Sequence, residues 1–336
     1  MRVLVTGGAG YVGSVSVEAL AAAGHEVVVL DDLSRGHRDS LPAGVRLVVG
    51  SYGDPAIIRP LLAAMPVDAV LHCAARSLVS ESVENPALYY RENVAGGVVL
   101  LEALREAGVY RFVFSSTAAV YGTPEVVPIT EDAPLRPLSP YGETKRTVEA
   151  ALHWYGAAYR LRSVSLRYFN VAGASALNGE VHDPETHLVP NVLRAVETGQ
   201  PVTIFGGDYP TPDGTCIRDL IAVDDLARAH LLALEATAPD DPRTAGPTGR
   251  GLALALNLGN GAGFSVREVV AAAQDVTGRP VPSRIGPRRA GDPPVLVADA
   301  SRAREVLGWT PACPDIHDIV RSAWVWRQAH PAGYRA

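Results

Sequence analysis

Tyr141 and Lys145 stand four residues apart in the run Ser139-Pro140-Tyr141-Gly142-Glu143-Thr144-Lys145. The apolar periodicity predicts a helix over 140–159, which puts phenol and ammonium on one face. There the cation favours phenolate over phenol, so a tyrosine becomes usable as a base near neutral pH. Taken singly, the two residues would be a packed helix tyrosine and a solvated lysine. Their chemical meaning comes from the start of the chain, Thr6-Gly7-Gly8-Ala9-Gly10-Tyr11-Val12-Gly13, which offers a place for a dinucleotide. A base and a dinucleotide site in one chain point to redox chemistry on a bound substrate.

Gly7, Gly10 and Gly13 follow a predicted strand and open a predicted helix. In that context missing side chains let the backbone approach a pyrophosphate, and the helix start supplies unpaired N–H groups and a positive dipole end. Asp31 closes the second strand, about 20 residues further on, where a carboxylate accepts from both ribose hydroxyls and repels a 2′-phosphate. NAD is therefore expected rather than NADP, although Arg35 and Arg38 lie close by. Without a ligand, the same features would be a tight turn and a solvated strand-end acid.

Short β-branched runs alternate with longer amphipathic ones: strand 2–6, helix 11–23, strand 26–30, strand 67–73, helix 85–107, strand 111–115, helix 140–159 and strand 162–168. The alternation predicts an α/β fold with a doubly wound parallel sheet of Rossmann type. A smaller, interleaved C-terminal substrate domain is expected to follow. The division is residues 1–170 for the nucleotide domain, with further elements returning from about 215–260, and 171–336 for the substrate lobe. Helices are expected near 187–198 and 223–236, and residues 237–251, rich in Pro and Gly, read as a surface loop with no catalytic duty.

The 336 residues, 47% of them hydrophobic, suffice for two such lobes. A net charge of −6 and no long basic run argue against a nucleic-acid surface. No leader and no apolar run of membrane length are visible, so a cytoplasmic location with no membrane partner is expected. Cys73, Cys216 and Cys313 lack paired spacing and read as reduced. His182 and His187 bracket Asp183 and Glu185, but no pair has the helical spacing of a zinc site, so no metal is expected. Glu143 and Glu149 on the predicted catalytic helix read as a solvated face.

The glycine spacing, the Tyr-x-x-x-Lys pair and a hydroxyl residue after strand 111–115 together resemble the extended short-chain dehydrogenase/reductase family. Nearly the whole chain is similar to its UDP-galactose (UDP-glucose) 4-epimerase branch. The segments that carry this are Asp31-Asp32-Leu33-Ser34, Phe114-Ser115-Ser116-Thr117-Ala118-Ala119-Val120-Tyr121-Gly122, Leu166-Arg167-Tyr168-Phe169-Asn170, Gly207-Asp208-Tyr209-Pro210-Thr211-Pro212-Asp213-Gly214-Thr215 and Pro287-Arg288-Arg289-Ala290-Gly291-Asp292.

The resemblance implies that Tyr141 is the base, that Lys145 lowers its pKa and holds the nicotinamide ribose, and that Thr117 hydrogen-bonds the reacting sugar hydroxyl. It implies NAD contacts at Gly7, Gly10, Tyr11, Val12 and Gly13 in the first turn, and at Asp31, Asp32 and Ser34 after the second strand. Further cofactor contacts are implied at Asn93, Ser115, Tyr141, Lys145 and Tyr168. For a UDP-sugar it implies Asn170 and Arg218 near the diphosphate, with His187 and Leu188 beside them, and Arg289 and Asp292 around phosphate and ribose. The implied reaction oxidises carbon 4 of the sugar to a transient ketone, which turns over in the site and is reduced on its other face. A homodimer through the helices near 85–107 and 140–159 is implied as well.

Some positions depart from the branch's pattern. Gly50-Ser51 stands for Gly-Asp, Leu220 and Ala222 for an aromatic residue and a histidine, and Ser80 and Glu92 for a glycine and an asparagine. These bear on cofactor affinity and exact substrate rather than on the proton path. Leu296 stands where some members have a tyrosine that closes the pocket, so UDP-N-acetylglucosamine is expected as a substrate beside UDP-glucose. Related sugar dehydratases carry Asp-Glu after the hydroxyl residue, where this chain has Ala118-Ala119. The alternatives are an epimerase of an unusual nucleotide sugar, a dehydratase, and a non-catalytic NAD-binding regulator, which would have no need of Thr117, Tyr141 and Lys145 together.

Overall fold

A computed structural model describes residues 1–246, 251–289 and 292–334. Its centre is a seven-stranded, wholly parallel sheet whose strands lie in the order Ala253–Leu258, Arg162–Tyr168, Arg111–Ser115, Ala69–His72, Arg2–Thr6, Glu26–Asp31, Arg46–Val49. Val3, Leu4, Val5, Val70 and Leu71 are wholly buried because helices cover both faces, as a parallel sheet requires. One face packs on Leu20, Leu226, Ala229 and Leu234, the other on Ile58, Leu100, Leu104 and Leu152.

The chain winds outward from Arg2–Thr6 in one direction, then returns to Ala69–His72 on that strand's other side and winds outward again. This reversal opens a crevice at the carboxyl ends of the two adjacent strands, the place where such sheets take ligands. Gly7 and Ala74 meet there so closely that a Cβ on Gly7 would lie 2.5 Å from the Ala74 nitrogen, and Gly7 has φ +72°. Only glycine meets both demands.

The helix Pro140–Tyr159 spans the expected residues. Proline at its first position has no N–H to waste, and the Ser139 hydroxyl accepts from Gly142 N at 3.2 Å. The helix expected over 85–107 is instead two α-helical pieces, Pro86–Tyr89 and Gly96–Glu106, joined by the wider π turn Tyr90–Ala95. The wider turn holds Asn93 inside, where its amide bonds both backbone groups of Arg76 and the Thr144 hydroxyl. Buried polar satisfaction thus accompanies a break in helical regularity.

The second lobe has its own core, in which the helices Leu188–Thr198, Val266–Thr277 and Ile316–Ala329 enclose Leu220 and Ala222. The two departures at 220 and 222 are therefore packing residues. Short strands complete the lobe: Ile217–Arg218 lies between Phe264–Ser265 and Val295–Leu296, and Val202–Phe205 pairs with Ser283–Gly286. Between the earlier and later of these strands the chain re-enters the large sheet through Ala253–Leu258, and Val223–Ala236 packs against that sheet. Of the loop 237–251, residues 247–250 lie outside the described ones; Ala245 and Gly251 form a bridge across it. Among the described residues no helix is long and apolar enough to cross a membrane.

Candidate active site

At the crevice, Gly10 is the N-cap of helix Tyr11–Ala22 and no side chain caps that end. A Cβ on Gly13 would lie 2.0 Å from the Gly7 carbonyl oxygen, so the first turn of the helix rests directly on the glycine loop. A Cβ on Gly10 would meet nothing nearer than 3.5 Å. The loop is thus tight beneath and open above, with N–H groups of the helix start facing outward, which is the form of an anion cradle. Asp31, 7% exposed, accepts from Ala9 N at 3.0 Å and Leu33 N at 2.8 Å. Burial raises its carboxyl pKa, and these two bonds work in the other direction. Asp32 is exposed and accepts from Ser34 N at 2.9 Å. These features fit the diphosphate and adenine ribose of a dinucleotide.

Two residues implied at the cofactor use their side chains elsewhere. The Tyr11 hydroxyl donates to the Gly173 carbonyl at 2.7 Å, tying the start of its helix to the segment just beyond residue 172. Val12 packs into the core, leaving its backbone for a ligand. Ser51, in place of an acid, accepts from Gly53 N at 3.1 Å within its own turn.

The strand Arg111–Ser115 and the helix Pro140–Tyr159 bring the reactive groups together. Thr117 begins a short 3-10 turn, where its hydroxyl accepts from Ala119 N at 3.1 Å, and it lies beside Tyr141, whose pKa it lowers. Lys145 is 3% exposed; its ammonium donates to the Ser115 carbonyl at 2.7 Å and stands 5.9 Å from the Tyr141 ring centre. Ser115 Oγ contacts Cys73 Sγ at 3.2 Å and His230 Nε2 at 3.4 Å, and it lies beside Tyr168. Thr117, Tyr141, Lys145, Ser115, Tyr168 and Asn93 therefore form one group at the strand ends.

Burial pushes the Tyr141 phenol up to about 12, with the neighbouring Thr117 hydroxyl working in the other direction, and brings the Lys145 ammonium down to about 8. The lowering expected of Lys145 together with the positive nicotinamide therefore has to overcome burial. Desolvation of the phenolate outweighs a cation committed to a backbone carbonyl.

Glu149 corrects the sequence reading most clearly. It is not on a solvated face: its side chain is 9% exposed and ion-paired at 2.6 Å with Arg167, itself 6% exposed. Ser116 donates to the same carboxylate, and Arg167 Nη1 reaches the Tyr121 hydroxyl at 2.9 Å, which continues to Asn257 Oδ1 at 2.7 Å. This network braces the backbone just before Thr117. Glu143, in contrast, makes an ordinary half-exposed pair with Arg146.

In the second lobe Arg218 is buried and pairs with Asp292. Leu296 is its register partner on the next strand and packs with Ala118, Val120 and Tyr121, so the phosphate-type cation and the Thr117 segment are joined through Leu296. Arg289 stacks 4.1 Å over the Phe205 ring. Asn170 is exposed at the start of a short strand, and Leu188 opens the helix that His187 caps.

His187 does more than sequence spacing shows. Folding gathers it with Glu180, His182 and Glu185, all four ligand-type atoms lying within 4.8 Å of one another. Burial opposes their charge, but Glu180 and Glu185 raise His182 to about 9 and His187 to about 10, and the two rings bring Glu185 down to about 2.

Comparison with known proteins agrees with this geometry. The model of the NAD dependent epimerase/dehydratase family matches residues 3–245. A UDP-glucose 4-epimerase of Streptomyces lividans is 50% identical over 335 residues, covering 99% of this chain and 98% of that protein. A crystal structure of a UDP-glucose 4-epimerase superposes with a TM-score of 0.94 at 45% identity, each chain covered in full. That of Brucella ovis UDP-glucose 4-epimerase in complex with NAD superposes at 0.90 with 44% identity, covering 97% of this chain and 98% of that one. With a nucleotide cradle, a buried Thr-Tyr-Lys group and relatives matched from end to end, the chain belongs to the NAD dependent epimerase/dehydratase family.

Proposed function

We propose that this chain interconverts UDP-glucose and UDP-galactose by epimerisation at carbon 4 of the sugar. The single observation that carries the reading is Tyr141 beside Thr117, with Lys145 buried 5.9 Å from the Tyr141 ring centre, at the mouth of a crevice fit for a dinucleotide. Residues 1–170, with the segment returning from about 215–260, form the nucleotide lobe in this reading, and 171–336 the sugar-nucleotide lobe.

NAD, held by the Gly7, Gly10 and Gly13 loop and by Asp31, would supply hydride acceptance and return at carbon 4 and a cationic ring that favours an anion nearby. Tyr141 removes the proton of the 4-hydroxyl and later returns it. Thr117 holds that hydroxyl oxygen in line with the phenol. Lys145, charged and desolvated, offsets the phenolate and keeps hydrogen-bond capacity for a ribose. Asp31 selects an unphosphorylated adenine ribose. Arg218 anchors the diphosphate with Asn170 and Arg289, and Asp292 fixes the guanidinium. A diphosphate anchor remote from carbon 4 lets the sugar turn while the nucleotide stays bound, so binding energy is spent away from the reacting centre.

A dehydratase needs a carboxylic acid beside carbons 5 and 6. Ala118 and Ala119 supply none, and the nearby Glu149 is held by Arg167 and Ser116. Leu296 in place of a ring leaves space for an acetamido group, which supports UDP-N-acetylglucosamine as a second substrate. Exposed Trp154 and Val98 on the catalytic and neighbouring helices support a homodimer face, which light scattering on the purified chain tests. A cytoplasmic location suits a chain that uses a dinucleotide and a nucleotide sugar.

The direct test incubates purified protein with UDP-glucose, without added cofactor, and follows anomeric proton signals. Wild type yields the galacto epimer; Tyr141→Phe retains NAD and loses at least roughly a hundredfold in rate. Wild-type turnover by that variant, or no epimer from protein shown to hold NAD, overturns the reading.

A further inference from the structure

The loop before helix Leu188–Thr198 holds a group of four side chains, of which only His187 has an implied place near the substrate. Glu180 Oε1 lies 3.2 Å from His182 Nδ1 and 2.8 Å from His187 Nδ1. On the other side, Glu185 oxygens lie 3.8 Å from His182 Nδ1 and 3.0 Å from His187 Nδ1. Two imidazole nitrogens and two carboxylates thus alternate around a common centre. Zinc bonded at roughly 2.0 Å to four ligands sets neighbouring ligand atoms about 3.3 Å apart. The four measured contacts fall on both sides of that value.

Hydrogen bonding alone does not account for the arrangement. Each ring nitrogen carries at most one proton and faces two carboxylates, so two donors stand against four contacts. His182 Nδ1 is buried without a hydrogen-bond partner, although a carboxylate oxygen lies 3.2 Å away. Oε2 of Glu180, whose side chain is 5% exposed, also lacks a partner. Atoms at bonding distance without bonding geometry, and an orphaned buried carboxylate oxygen, are what a shared cation would satisfy. Two carboxylates and two neutral imidazoles also balance the charge of a divalent ion.

We propose that Glu180, His182, Glu185 and His187 form a structural site for a divalent cation of the zinc class. Binding displaces the proton from Nδ1 of each ring, leaves Nε2–H outward, and closes an eight-residue turn with all four positions filled by protein. The turn contacts two parts of the nucleotide lobe, the start of helix Tyr11–Ala22 and the loop after strand Glu26–Asp31: His182 meets the Tyr11 ring edge-on at 6.3 Å, His37 faces the Val181 carbonyl at 3.3 Å, and Arg35 bonds the Asp183 carbonyl. The ion would therefore pin the start of helix Leu188–Thr198 against the glycine loop. This inference concerns the loop's own chemistry and does not depend on which sugar, if any, the protein turns over.

The test is metal content and cobalt spectroscopy on the full chain, freed of any histidine tag and dialysed against chelator. Returning zinc alone should restore about one equivalent per chain and raise the melting temperature. Cobalt alone should give the visible absorption of a tetrahedral site, displaced by zinc. Glu180→Gln with His182→Asn should weaken zinc by roughly tenfold or more, while circular dichroism stays that of the folded chain. Wild-type protein that takes up no zinc, with no shift in melting temperature and only octahedral cobalt, overturns the proposal and leaves four residues in a salt-bridge cluster. Equal zinc uptake by the double variant overturns it as well.

Discussion

The Arg167 guanidinium clasps the Glu149 carboxylate edge-on, Nε 3.0 Å from Oε1 and Nη2 2.6 Å from Oε2, with both side chains less than a tenth exposed. A bidentate pair of this kind is strong only while both partners remain, because either charge alone is stranded away from water. It joins the catalytic helix to strand Arg162–Tyr168, one turn beyond Lys145.

Glu149→Ala is therefore expected to destabilise the fold by about 3 kcal/mol through the uncompensated Arg167. Epimerase turnover should fall as well, since Ser116 loses its acceptor next to Thr117. Denaturant unfolding of both proteins checks this. Equal midpoints would show that the pair contributes little.

Gly13→Ala places a methyl 2.0 Å from the Gly7 oxygen. Either the glycine loop or the helix start must move, and both form the cradle for the dinucleotide diphosphate. Retained NAD, read by absorbance after denaturation, should drop at least roughly tenfold, equivalent to about 1.4 kcal/mol of binding. Gly24→Ala, where a Cβ meets nothing but φ is +79°, should affect stability without affecting NAD.

Acid should weaken the fold through two buried neutral histidines. Burial lowers His72 and His230 to about 3 from 6.5. Between those values the unfolded chain takes up protons that the folded chain does not, so stability is present above pH 6.5 and falls as the pH falls. From pH 6.5 to 5.0 each histidine accounts for a loss of about 2 kcal/mol. Denaturant unfolding at both pH values measures the loss, and His72→Gln should remove about half of it. An unchanged slope in that variant would assign the acid sensitivity elsewhere.

Leu296→Tyr narrows the space between Arg218 and the Thr117 segment. It should lower turnover of UDP-N-acetylglucosamine by roughly a hundredfold while leaving UDP-glucose within a few fold, a discrimination available from steric exclusion. Wild-type turnover of the N-acetyl sugar more than about a thousandfold below that of UDP-glucose would already remove the premise.

Elements governed by local rules were readable before folding. The catalytic helix carried its cap and proline at Ser139 and Pro140, and the glycine loop carried its conformational demand at Gly7. Glu149 was misread because its helix position looks solvated until Arg167, from a buried strand 18 residues later, arrives beside it. Asn93 needed the π turn to become an interior residue, which helical periodicity does not announce. The carboxylate of Glu180 was missed beside the two histidines because only a folded turn brings positions 180, 182, 185 and 187 around one point. The partner of Tyr141 was legible at Lys145, but not the desolvation that opposes it, because burial is a property of the fold.

The edge strand Ala253–Leu258 arrives after the chain has left the large sheet and run through the first helix and strands of the second lobe. Until it arrives, Arg162–Tyr168 is a bare edge, with unpaired amides that invite pairing with other chains. During translation, residues that complete the first lobe leave the ribosome long after those that begin it. A gene cut at residue 170 would therefore yield a sticky fragment rather than a small nucleotide-binding protein, and newly made chains have most need of chaperone cover in that interval.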